Sequence, residues 1–178
     1  MIFSLTEHQD GVQVPPGAIG YSVMRNAACL GAEWIEGHAL VWQVGGKAHE
    51  QPKLSVELEL DPAAQWLQRC DRVDFPPGGV AYLHTHPGPG IRCLLHGAVR
   101  IEAAGEAHAY GPLGAWFESG PEPVFAAASE TEETSFVRVL LLPREWEGKR
   151  TIRYVNAEDE DKPKTQRVTV FLEAPLAI

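Results

Sequence analysis

The chain has 178 residues, 44% of them hydrophobic, and carries 15 basic against 24 acidic side chains for a net charge of −9. That length suits one domain with a substantial core, and the acidic balance argues against a nucleic-acid backbone or an anionic membrane surface as partner. The 17 glycines and 14 prolines supply many turns without reaching a disordered composition.

Cys29, Cys70 and Cys93 are widely separated and lack any C-x-x-C spacing. Neither a disulfide framework nor a thiolate zinc site is indicated, and a reducing, cytoplasmic setting is expected. Met1 to Asp10 shows neither a basic leader nor an apolar h-region, and no later stretch has the length of a membrane span.

Along the chain, Glu33 to Val44 is rich in Trp, Ile, Leu and Val and ends at Gly45-Gly46, which predicts a strand or a pair bent at Gly37. Leu54, Val56, Leu58 and Leu60 alternate with Ser55, Glu57 and Glu59, the period of a strand with one wet face. Asp61-Pro62 followed by Ala63 to Gln68 predicts one short helix or helical turn, with Asp as N-cap and Pro at the first helical position. From Phe75 the chain breaks into short apolar runs cut by Gly and Pro: Val80 to His86, Ile91 to Leu95, Ala98 to Ala103, Ala107 to Tyr110, Ala115 to Phe117, Val124 to Ala128 and Phe136 to Leu142. Such close turn spacing predicts an all-β barrel or sandwich. Beyond Pro143 come a strand at Thr151 to Val155, the acidic Glu158 to Asp161 and a strand at Arg167 to Leu172, a C-terminal extension to pack on the barrel or on a partner subunit. With no repeat or long linker, residues 1–178 read as a single domain.

Residues two apart in a strand share a face, so His84 and His86 should project together with Thr85 opposite, the parity that two imidazole ligands of one metal require. Pro87-Gly88-Pro89-Gly90 then turns the chain into the strand beginning at Ile91, which sets a pocket beside the histidines.

These residues resemble the first motif of the cupin superfamily: Gly78, five residues, His84-Thr85-His86, three residues, Gly90 where a Glu is usual, and Gly97. Gly111 to Phe125 looks like the second motif, without its usual His near Pro123 to Phe125. The resemblance covers about Phe75 to Leu142. It implies a cupin-like antiparallel β-barrel of jelly-roll type, a small-molecule pocket and a homodimer. It also implies a divalent transition metal (Zn, Fe, Ni, Mn or Cu) on His84 and His86, with a metal-free barrel as the alternative.

His96 has the right parity for the missing acid, but six residues along a strand is roughly 20 Å, so it should lie at the far end of the barrel. His108, Glu118 and Glu122 are further candidates to approach the histidines. Arg92 should share the inward face and could pair with a carboxylate substrate, while Tyr82, Trp116, Phe117 and Phe125 are candidates to line an apolar cavity. No G-x-S-x-G elbow, phosphate-binding glycine loop or H-E-x-x-H helix is present, and Cys93 in its apolar run reads as a small hydrophobe. Two functions follow as expectations: a metal-dependent enzyme acting on a small organic molecule, or a non-catalytic barrel that binds or senses a ligand without metal.

Overall fold

The computed structural model describes residues 1–46 and 51–177. The N-terminal third supplies β1 (Ile2–His8), β2 (Val12–Gln13), β3 (Ile19–Ser22), β4 (Ala27–Leu30), β5 (Trp34–Ile35), β6 (Ala39–Val44) and β7 (Leu54–Glu57). The centre supplies β8 (Trp66–Phe75), β9 (Val80–Thr85), β10 (Gly90–His96), β11 (Val99–Ala103), β12 (Glu106–Tyr110), β13 (Ala115–Glu118), β14 (Val124–Ala128) and β15 (Thr134–Pro143). The tail adds β16 (Arg153–Tyr154) and β17 (Arg167–Leu176), with short 3-10 turns at Arg144–Trp146 and Ala157–Glu160.

Apart from the β11–β12 hairpin, successive central strands alternate between two facing sheets, ordered β13-β10-β15-β8 and β12-β11-β14-β9, and every pairing is antiparallel. This is the double-sheet jelly roll, the all-β architecture expected. The tail extends both sheets, β17 pairing with β8 and β16 with β9. Thus the C-terminal extension lies on the barrel.

A third sheet, β4-β3-β6-β1-β7, covers the outer face of the β8–β15–β10 wall. Alternation along β15 decides which side chain goes where. Val137, Val139 and Leu141 point outward into a core with Phe3, Leu5, Tyr21, Leu40 and Trp42, while Phe136 points inward to meet Val73, Phe75 and Trp116. With both faces covered, β15 is buried over nearly its whole length, which is why it reads as an almost unbroken apolar run.

The pair expected over 33–44 is β5 and β6, bent where Gly37 adopts φ +70°. The short helix expected after Asp61 is instead one capped turn: Ala63 N–H donates to Asp61 Oδ1 at 2.9 Å and Ala64 N–H to Asp61 O at 3.2 Å. Trp66 already opens β8, a ten-residue strand with a partner on each side. The ladder hydrogen bonds on both edges outweigh the local helix signal. The roll consequently begins at Trp66, before the Phe75 at which the motif resemblance starts.

Candidate functional site

The two sheets enclose a cavity of about 400 Å³. Its side walls are apolar, with Val73, Phe75, Ala81, Ile101, Ala126 and Phe136, and its floor is polar. Strand register builds that floor. Asp71 on β8, Arg138 on β15 and Arg92 on β10 are cross-strand neighbours in one row, and Glu118 on β13 pairs with Gly90 in the next.

Arg138 and Asp71 are 6% and 0% exposed. Arg138 donates Nε–H to Asp71 Oδ1 at 2.6 Å and Nη2–H to Asp71 Oδ2 at 3.4 Å. The third guanidinium nitrogen, Nη1, donates to His86 Nε2 at 3.3 Å. His86 is oriented from behind by its Nδ1–H donating to Thr151 O at 3.2 Å, and His84 by Nδ1–H donating to Tyr82 O at 2.7 Å. Since a carbonyl only accepts, both imidazoles carry their proton on Nδ1 and present an Nε2 lone pair. The rings lie 4.9 Å apart, nearly perpendicular. Burial pushes both below the usual histidine range, His86 furthest, and the neighbouring Arg138 and Arg92 charges push the same way.

Arg92 is fully buried and does not line this cavity. Its Nη1–H donates to Gly90 O at 2.6 Å, and Nη2 lies 2.6 Å from Glu118 Oε2. Burial pulls its pKa down to about 10, which leaves it charged. The Arg92–Glu118 contact is an ion pair by distance, but its angles are not those of a hydrogen bond. Arg92 Nε and Nη2 and Glu118 Oε2 are therefore buried without a hydrogen-bond partner among the described residues. Glu118 Oε1 accepts from Trp116 Nε1–H at 2.8 Å.

The other pocket candidates lie off the cavity. Tyr82 turns away because β9 and β14 shift register between Val124 and Ala126, so that Ala81 and His84, an odd number apart, both line the cavity. A β-bulge breaks the two-residue parity in this way. Trp116 is buried in the barrel core, stacked on Tyr110 with centroids 5.0 Å apart. Phe125 lies on the opposite face of β14 from Val124 and Ala126, in a separate depression beside Leu83 and Pro123. His108 is exposed and paired with Glu106, while Glu118 is the one acid of the damaged second motif that reaches the histidines, 3.9 Å from His86 Nε2.

Does this floor fit a divalent metal? The His84 and His86 lone pairs face the right way, but the place where the usual acid would stand is filled. A Cβ on Gly90 would meet Leu140 Cδ2 at 2.5 Å and Arg92 Nη1 at 2.8 Å. His86 Nε2 already accepts from a guanidinium, and Glu118 is committed to Arg92. A dication would have to displace one permanent cation from His86 and another from Glu118, leaving both buried and unpaired. The residues do not fit the metal, and among the described residues no cluster of three or more His, Cys, Asp and Glu could hold one.

Sequence reading missed Arg138 and Asp71. The signal was present in Phe136-Val-Arg138-Val-Leu-Leu-Leu142, where one arginine interrupts an otherwise apolar run; a charge there must be buried and paired.

No protein-family model and no curated protein matches the chain. Solved structures do. An RmlC-like cupin from Shewanella frigidimarina is 14% identical over 44% of this chain and 68% of its own, with a TM-score of 0.40. The polyketide cyclase RemF from Streptomyces resistomycificus is 19% identical over 53% of this chain and 63% of its own, TM-score 0.41. A cupin 2 conserved barrel domain protein from Leptotrichia buccalis is 11% identical over 79% of this chain and 73% of its own, TM-score 0.40. Two of these three are cupins, and at identities of 11–19% the likeness is one of fold alone.

Proposed function

We propose that this chain is a small-molecule-binding jelly-roll barrel that works without a metal. The observation that carries this reading is the Arg138 guanidinium, paired with Asp71 and donating to His86 Nε2 at 3.3 Å, so that a fixed cation of the protein stands where a metal would use that lone pair. The roughly 400 Å³ cavity is of the size and mixed character typical of small-ligand sites. His84 Nε2 and the Arg138 N–H groups then hold and orient a polar group of the ligand, while the apolar walls remove its body from water.

A homodimer belongs to the same reading: β17 is an outer strand whose far edge pairs with no other strand among the described residues. So does a reducing, cytoplasmic setting, since all three cysteines are free. Among the described residues no helix is long and apolar enough to cross a membrane.

The test is elemental analysis of purified protein beside its His84→Ala/His86→Ala variant, combined with native mass spectrometry for retained organic molecules. Metal far below one per chain in both proteins, with an organic adduct or ligand-induced thermal stabilisation in the wild type, is the expected result. About one metal per chain, lost in the variant, would overturn the reading in favour of a metal-dependent enzyme.

A further inference from the structure

The charges and hydrogen-bonding capacity of the cavity floor limit what can sit on it. A guanidinium has five N–H donors. Arg138 spends one on His86 and two on Asp71, so one N–H on Nη1 and one on Nη2 have no acceptor among the described residues. His84 has the complementary property, since its Nδ1–H is spent on Tyr82 O and its Nε2 is an acceptor with no partner among the described residues. Both side chains line the cavity.

The floor is also charge-balanced: Arg138 against Asp71, Arg92 against Glu118, with both histidines neutral. Of the remaining cations that line the cavity, Arg69 is paired with Glu173, Arg150 lies 3.7 Å from Glu160, and Lys164 donates to the backbone oxygens of Asp159, Glu160 and Lys162, while Lys149 is exposed to solvent and not on the floor. A carboxylate on the floor would be an extra buried charge with no counter-ion, which is costly. A neutral carbonyl would take the Arg138 donors without that cost.

From these observations we infer that the site is built for a neutral apolar molecule bearing a carbonyl with an N–H or O–H close by. Carboxamides and hydroxy ketones are the chemical class. The carbonyl oxygen accepts from the unspent N–H groups of Arg138, the N–H or O–H donates to His84 Nε2, and the apolar remainder lies along Val73, Phe75 and Phe136. This assignment rests on the metal-free binding barrel and names its ligand.

The experiment compares three probes of nearly equal shape on the wild-type protein by calorimetry: phenylacetamide, phenylacetate and isobutylbenzene. Phenylacetamide should bind roughly 10-fold or more tightly than either, and binding should shift the 15N resonance of His84 Nε2. His84→Leu should remove most of its advantage over isobutylbenzene. Tighter binding of phenylacetate would overturn the inference, as would isobutylbenzene equalling the amide, and either result leaves the binding barrel standing. Failure of all three probes to bind would overturn both.

Discussion

Arg138 and Asp71 face each other from adjacent strands with almost no solvent to share their charges. Removing one partner strands the other, so Arg138→Met should cost about 3–5 kcal/mol. Asp71→Leu combined with Arg138→Met should cost clearly less than the sum of the single changes, because no charge is left behind. Urea unfolding of the four proteins measures this, and additive losses would show that the two side chains are not coupled. The histidines supply a second test at this scale. Both are held below the ordinary histidine value of about 6.5, first by burial. Between that value and the folded-state pKa the unfolded chain binds more protons, so stability falls as pH drops. The slope is up to about 1.4 kcal/mol per pH unit for each histidine. The urea midpoint should therefore be lower at pH 5.5 than at pH 7.5, and His84→Gln/His86→Gln should flatten that difference. An unchanged slope in the variant would place the acid sensitivity elsewhere.

At the scale of the element, β10 determines why the missing acid cannot simply be restored. Arg92 folds back over Gly90, and Leu140 closes the other side. Gly90→Glu should thus lose about 3 kcal/mol or more, combining overpacking with an added buried charge. It should gain no metal in equilibrium dialysis against zinc; stable folding with one zinc per chain would refute the account of the floor. The strands themselves were legible in the sequence because turns and alternation are local. Glu33 to Val44 announced its bend through Gly37, and Leu54 to Leu60 its wet face. Two features were not local. β8 read as a helix opening because Asp61-Pro62-Ala-Ala is a good start signal, and only the strands on both its edges decide otherwise. The bulge that turns Tyr82 out and Ala81 in arises from a register shift against β14, which the sequence of β9 alone does not encode. The histidine pair was readable by parity. The row of Asp71, Arg138 and Arg92 needed the register of three strands at once.

For the whole molecule, the question is whether the N-terminal sheet is an appendage or part of the folding unit. Trp42 on β6 is 1% exposed and donates Nε1–H to Ile91 O on β10 at 3.1 Å. It shares one core with Phe3 and Tyr21 on its own side and Val137 and Val139 on the side of the roll. Lys53 ties the same two parts at their edge, with Nζ 2.6 Å from Glu7 Oε2 on β1 and donating to Leu113 O at 3.0 Å. Since β15 carries this shared core on one face and the cavity's Phe136 and Arg138 on the other, loosening the N-terminal sheet removes support from the back of the cavity floor. Trp42→Ala should accordingly cost about 3–5 kcal/mol through lost burial and the cavity left behind. Unfolding should remain a single transition in which far-ultraviolet circular dichroism and the fluorescence of the remaining tryptophans move together. Two separated transitions, with the roll surviving the first, would show that the sheet folds apart from the barrel and that the cavity floor does not depend on it.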